Sequence, residues 1–515
     1  MTSPASWCCP IARSRGTSST CWPSWASARA PKSPSGRPPA TSTPDPWRKP
    51  RGGTTWFPRS AIMICVTSLD AVAAAAAPHS DKEVDVRSIA IIGAGQGGLQ
   101  LAFGLLRDGY DVTVYSERTP EQIACSRFPS SAGIFAHALD HERALDICFW
   151  DGERPLIDHT FATVTDPEGT VAIQFQARFA KHGQSVDQRL KFSTWLEAFA
   201  DRGGKVVYGA VDPDRLDDIA AIHDLTVVAA GKGDIARIFP LDRTRTVHDR
   251  PQRSIGLIAL VGTEHPDSDG VCYNIRPGVG EAFGIPMLTA AGPGVAWVME
   301  ALPGGPMDRW AQATTAQEML DLTRRTFADF FPWESARYAD AEISDPNGWL
   351  CGAVPPLVRE PIATLPSGRK VLGMADVVVL NDPACGQGAN NASHHAAVVH
   401  RMILDQGSGP FDDRWMRATF DQAWERAEYA TNFTNAMLAF NTPGAAPPAH
   451  AVDLLTTAAR VPEVANRFCN AFSDPTDLRN YFFDPELTAR FLAEATARHE
   501  LRMRRRHDGV VGAPA

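Results

Sequence analysis

No apolar run in this 515-residue chain reaches the length and purity of a membrane-spanning helix, so an integral helical membrane protein is not indicated. Paired cysteines are lacking too. Of the ten, only Cys8 and Cys9 are adjacent and no C-x-x-C occurs, which argues against a zinc site and a disulfide framework. The thiols are read as reduced and the protein as cytoplasmic. No internal repeat is found, which sets solenoids and propellers aside. Acids are scarce in one place only. Residues 1–60 hold nine Lys/Arg and a single acid, Asp45, a balance of +8, so the net charge of −9 leaves −17 on the other 455 residues. An acidic body is the wrong footprint for nucleic acid, whose phosphates require a basic face.

Residues 1–60 also contain eleven prolines and five of the thirteen tryptophans, with no helical or alternating apolar period. Such a segment cannot bury enough surface to offset its ordering entropy. Residues 1–84 are therefore read as a disordered or spurious extension, translation starting near Met63 being preferred over a real disordered tail. Arg59 and the apolar stretch from Ala61 to Pro78 loosely mimic a signal peptide, but Asp70 interrupts it.

From Arg87 the chain changes character. Ser88–Ile92 is an apolar run suited to a buried parallel strand. Gly93-Ala-Gly-Gln-Gly-Gly98 follows, then Leu99, Leu101, Ala102, Leu105 and Leu106 at helical spacing, Gly109, and a second strand at Val112–Tyr115. In this βαβ unit Gly93 permits the tight turn, Gly95 lets a pyrophosphate approach the backbone, and Gly98 lets helix and strand pack closely. The helix N-terminus offers free N–H groups and a positive dipole to the phosphates. The acid that takes the ribose hydroxyls should end the second strand; Ser116 stands there, with Glu117 one step later. A second element selects FAD over NAD. Strand Lys370–Gly373 ends at Asp376, and Asp382-Pro-Ala-Cys-Gly-Gln-Gly-Ala-Asn-Asn391 leads into another helix. A carboxylate there can bind ribityl hydroxyls, and the helix start can stabilise negative charge on the flavin pyrimidine ring.

These blocks, with Val186–Leu190, Asp224–Lys232 and Arg127–Asp146, resemble the hydroxylase-fold flavin monooxygenases, and within them the epoxidase component of styrene/indole monooxygenases. The resemblance covers most of residues 87–480. It implies an α/β fold in which a Rossmann-like FAD-binding domain (85–250 and 363–410) carries an inserted, mostly β substrate-binding domain (251–362) and a helical C-terminal region (411–515). It also implies the activity. FADH2 supplied by a separate NADH-dependent flavin reductase reacts with O2 to a C4a-hydroperoxide, which oxygenates an aryl alkene or indole-like aromatic; a homodimer is suggested. The alternatives are a single-component NAD(P)H-dependent FAD hydroxylase or a catalytically degenerate flavin-binding paralogue.

The resemblance assigns Arg127, Ser130 and Ser131 to the catalytic face. Ser130 stands where the family has Asn, and Ser131 where it has Thr, so the pocket is altered and the substrate is left open. Arg189 is read as a flavin-edge or phosphate contact, with a structural salt bridge as the alternative. Pro383, Gly386, Gly388, Ala389 and Asn390 complete the flavin contacts. Ala230-Gly231 replaces the Asp-Gly pair with which single-component relatives bind FAD and NAD(P)H, which favours the two-component reading. Apolar residues of Phe283–Pro286 are expected to line the substrate pocket. His394 and His395 are helical neighbours that face apart, Cys385 is read as structural, and the arginines from Arg502 to Arg506 as a solvated, frayed tail.

Overall fold

The computed structural model describes residues 86–131, 133–231, 233–263, 269–442 and 447–511. The readings made for residues 1–84, and the side chain of Arg506, lie outside them.

The Gly-rich unit is β1 (Ser88–Ile92), α1 (Gln96–Arg107) and β2 (Asp111–Ser116). A capping box between Thr119 and Gln122, with Pro120 at the first helical position, starts the short α2 (Pro120–Ala124). Next come β3 (Gly133–Ile134), α3 (Ala136–Ala144) and two long strands, β4 (Leu156–Thr165) and β5 (Val171–Ser185). The chain returns through α4 (Gln188–Asp201), β6 (Lys205–Tyr208), α5 (Pro213–Ala221), β7 (Leu225–Val228) and α6 (Asp234–Arg237). Four strands follow: β8 (Ser254–Val261), β9 (Gly270–Arg276), β10 (Gly280–Thr289) and β11 (Gly292–Ala301). Then come α7 (Ala316–Phe330), α8 (Pro332–Ser335), β12 (Glu342–Ile343), β13 (Trp349–Gly352), β14 (Leu357–Val358), β15 (Ile362–Thr364), β16 (Lys370–Gly373) and β17 (Val379–Leu380). Five helices close the chain: α9 (Gln387–Gln406), α10 (Asp413–Phe440), α11 (Ala449–Ala458), α12 (Pro462–Asn470) and α13 (Pro485–Val511).

The first sheet has the order β15-β16-β7-β1-β2-β6, parallel except for β15. Because its central strands are covered on both faces, they read as continuous apolar runs. Ile89 and Ile91 pack under α1, α4 and α9 with Leu105, Trp195 and Val399. Ala90 and Ile92 point the other way, into a core with Leu216, Phe239 and Val371.

The second sheet has the order β12-β8-β11-β10-β9-β4-β5-β3, with β13 also on β8. One face buries Ile258, Trp297 and Met299 against Met319 and Phe327 of α7. The opposite face carries Leu257, Ala259, Phe283, Ala296 and Val298, and it meets Phe128 and Ala384. Two features differ from the sequence reading. Strands β4 and β5 join this sheet although they lie within 85–250, and the 15-residue α7, started by a Thr315–Glu318 capping box, interrupts the mostly β stretch. The C-terminal arginines are also helical, not frayed. They sit on α13, where Arg502 pairs with Glu463. Helices α10 to α13 gather Phe433, Leu454, Val464 and Phe468 over Val164 and Phe175 of β4 and β5.

Candidate flavin and substrate site

The three glycines of the first turn have three different environments. Gly93 has φ +114°, and a Cβ there would lie 2.9 Å from the backbone nitrogen of Ala230. A Cβ on Gly98 would lie 2.1 Å from the Gly93 carbonyl oxygen, well inside contact distance, so only glycine lets α1 start this close to β1. A Cβ on Gly95 would meet nothing within 4 Å. That open side faces the start of α1, which has no side-chain cap and no acid in its first turn. Its first N–H groups are therefore left for an anion from outside the chain.

At the end of β2, Ser116 is buried and its hydroxyl donates to the Arg118 carbonyl at 2.6 Å, so it is spent within its own turn. Glu117 beside it is exposed.

The second element lies against the first. After β16, Ala375 takes φ +57° while its N–H donates to His395 Nδ1 at 3.2 Å. Asp376 then packs so closely on the turn after β7 that a Cβ on Gly231 would be 2.6 Å from its own Cβ. Its Oδ1 reaches to 3.9 Å from where Gly388 would carry a side chain. Asp382 accepts from Ala384 N at 3.1 Å and starts the single 3-10 turn Pro383–Cys385. Gly386, at φ +61°, redirects the chain into α9, which likewise has neither a side-chain cap nor an acid in its first turn. Two uncapped helix starts and a carboxylate are groups of the kind that phosphates, ribityl hydroxyls and the pyrimidine edge of a flavin nucleotide require.

Ala384 is also where the turn before α9 touches the second sheet. It packs with Phe128, Phe283, Val298 and Leu438, while Tyr273 donates to its carbonyl at 2.8 Å and stacks on Phe283 at 4.4 Å between ring centroids. The expected lining residues Phe283 and Ile285 lie in this group.

Comparison with known proteins agrees with this geometry. Residues 231–337 match the family model of the styrene monooxygenase A substrate-binding domain. Styrene monooxygenase StyA of Pseudomonas fluorescens is 29% identical over 407 residues, covering 78% of this chain and 96% of that protein. The chain is an FAD-dependent monooxygenase, similar to styrene monooxygenase. Among solved structures, a flavoprotein/dehydrogenase from Cytophaga hutchinsonii superposes with a TM-score of 0.54 at 13% identity, over 80% of this monooxygenase and 100% of that chain. The flavin-dependent brominase Bmp2 gives 0.52 at 13% identity over 76% and 97%. At such identities these two establish the fold alone.

Two of the monooxygenase's sequence-derived site residues are committed elsewhere. Arg189 is buried, and its guanidinium binds Asp187 at 2.7 Å, Asp345 at 2.6 Å and the Ser126 carbonyl at 3.3 Å. The flavin-edge reading is thereby corrected to the structural salt bridge. Asn390 donates to the Gly133 and Gly386 carbonyls at 2.8 and 2.7 Å and accepts from Phe135 N at 2.9 Å. Its amide fastens β3 to α9 and has no donor left for a flavin.

The stretch 127–131 runs beside the apolar face. Arg127 is exposed and lies over the Trp349 ring at 4.4 Å, and the Ser131 carbonyl accepts from Ser185 Oγ at 2.6 Å. Ser130 is half-buried. Pro383, Gly386, Gly388 and Ala389 all lie on the turn and first coil of α9. His394 contacts His141 Nε2 at 3.0 Å, whereas His395 turns to Ala375, so the two rings face apart. Burial raises the Cys385 thiol well above its ordinary range, in keeping with a structural cysteine.

Sequence reasoning missed a buried ion pair under α1. Lys191 donates to Glu142 at 2.6 Å, both nearly inaccessible, and Gln96 adds a bond to the same oxygen at 3.0 Å. Gln96 is the first residue of α1, so the pair braces the start of that helix. Lys191 directly follows the Val186–Leu190 block, which was the available signal.

Proposed function

We propose that this monooxygenase is the oxygenase component of a two-component system, taking FADH2 from a separate NADH-dependent flavin reductase and O2 from solution to oxygenate an aryl alkene or indole-like aromatic. The observation that carries the reading is the meeting of an apolar sheet face with Ala384 on the turn that opens α9. The reduced flavin, when bound, would supply the two electrons that activate O2, and O2 would provide the oxygen atom transferred.

The chain's own residues supply binding, orientation and dryness. The open side of Gly95 and the start of α1 would receive the pyrophosphate, with Gly93 and Gly98 setting the turn. Asp376 would hold ribityl hydroxyls, and Glu117 takes the ribose role that Ser116 leaves vacant. The backbone of Gly386, Gly388 and Ala389 would face the flavin pyrimidine edge. Phe283, Val298 and Phe128 exclude water and present an apolar wall to an aromatic substrate. Arg127, Ser130 and Ser131 lie at the rim of that wall and would shape substrate entry.

The two-component assignment is supported by Ala230-Gly231. Gly231 is pressed against Asp376, and Asp234 and Arg237 beyond it pair with each other at 2.7 Å on the surface. The test is binding and turnover of the full chain. Reduced FAD should bind more tightly than oxidised FAD, and a flavin reductase with NADH and O2 should yield styrene oxide or a blue indole product. Tightly held oxidised FAD with direct NADPH oxidation would overturn the reading.

A further inference from the structure

The seam between the flavin turn and the second sheet contains three carboxylates and one guanidinium, all buried: Glu281 on β10, Glu300 on β11, Asp382 and Arg253. Glu281 is satisfied. It accepts from Arg253 Nε at 2.6 Å and from Asn441 Nδ2. The other bonds of Arg253 go to the carbonyls of Gln252 and Leu438, at 3.0 and 3.1 Å. Asp382 uses Oδ1 to cap Ala384 N. That leaves Asp382 Oδ2 and both Glu300 oxygens inaccessible and without any protein donor. These two carboxyl groups are neighbours in the seam, and each acts directly on the other. Two carboxylates cannot bond one another, because each only accepts. A proton on one of them supplies the missing donor.

We propose that Glu300 and Asp382 share one buried proton, and that this acid–carboxylate pair is a positioning device clamping the flavin-side turn Pro383–Gly386 to the substrate-side sheet. Glu300 acts through Asp382 and touches no flavin itself. The inference rests on the proposed role of that turn in holding the flavin.

The surroundings favour a single negative charge on the pair. Glu281 is already matched by Arg253. Tyr273 and Cys385 stay neutral, burial raising the pKa of each. His248, the remaining titratable neighbour, is held toward its neutral form by burial. Burial raises Glu300 well above the usual carboxylate range, with the charges of Asp382 and Glu281 adding to the effect. Loss of the shared proton would place a second negative charge in the seam, beneath a turn that must receive an electron-rich reduced flavin. The clamp therefore opens as pH rises.

The experiment uses the full chain. In the infrared spectrum at neutral pH, a protonated-carboxyl band should be present and should vanish in Glu300→Gln and in Asp382→Asn. Anaerobic titration with reduced FAD should show binding that weakens about tenfold per pH unit above the titration of the pair. Glu300→Gln, whose amide N–H replaces the acid O–H, should rescue binding and remove that alkaline limb. Glu300→Leu, with no donor, should bind weakly across the whole range. Absence of the band, or an unchanged alkaline limb in Glu300→Gln, overturns the shared proton. A chain that shows the band yet binds no reduced FAD at any pH overturns the proposed flavin site and the clamp's role in it, leaving the proton itself established.

Discussion

Adding one methyl group at Gly95 or at Gly98 should damage the same turn in opposite ways. At Gly95 the backbone has φ −100° and the new Cβ meets nothing within 4 Å, so alanine fits without strain. Reduced freedom of the unfolded chain then stabilises the flavin-free protein by about 0.4–1 kcal/mol. The same methyl occupies the space through which a pyrophosphate would approach the backbone, so affinity for reduced FAD should fall by about a hundredfold, equivalent to roughly 2.7 kcal/mol. At Gly98 the Cβ would stand 2.1 Å from the Gly93 oxygen, and its neighbours, the Gly93 backbone and the Ala229 methyl, include no flexible side chain to yield. Overpacking of this kind costs about 1–3 kcal/mol, so the flavin-free protein should unfold earlier. Denaturant unfolding without flavin, paired with anaerobic flavin titration, reads both quantities. Wild-type affinity in Gly95→Ala would remove the phosphate from this turn. Wild-type stability in Gly98→Ala would show that helix and strand do not approach so closely.

Three further outcomes follow from buried charge. Lys191→Met should destabilise by about 3–5 kcal/mol by stranding Glu142, whereas Lys191→Met with Glu142→Gln should recover most of that loss in the same unfolding assay. Arg189→Gln should cost a similar amount, since Asp187 would remain buried and unpaired, but the folded fraction should bind reduced FAD as before; a selective loss of flavin affinity would restore the flavin-edge reading. Asp242 is a pH-dependent anchor. Burial alone would raise its carboxyl, yet hydrogen bonds from Thr244 and Arg245 outweigh it and lower the pKa to about 2. Its stabilisation is complete above the unfolded value near 3.8 and is lost as pH falls toward about 2. Asp242→Asn should therefore weaken the protein at pH 7 and leave its stability below about pH 2 unchanged, as followed by circular dichroism.

The parts legible in the sequence were those that depend on neighbours in the chain. Ser88–Ile92, Lys205–Tyr208 and Lys370–Gly373 appear as strands with the expected bounds, because each is a short, largely apolar run closed by a turn residue. The Gly93–Gly98 turn was legible because its geometry is local. Strand β5 was not, since its outer half alternates exposed polar side chains and gains its place only by pairing with β4. Arg189 was misread because its partner Asp345 lies 156 positions away, and a basic residue beside a family block looks the same whether it binds a flavin or a carboxylate. Glu281 and Glu300 were overlooked for the converse reason. Acids in apolar strands read as solvent-facing until the tertiary fold places them opposite each other across the β10–β11 pair.

The most direct test of the central claim supplies the full chain with chemically reduced FAD, isotopically labelled O2 and styrene or indole, with no reductase and no nicotinamide present. The account predicts one labelled oxygen atom in the organic product and oxidised FAD returned to solution. Label found only in hydrogen peroxide, or product formed only when NAD(P)H is added to the chain itself, would contradict it.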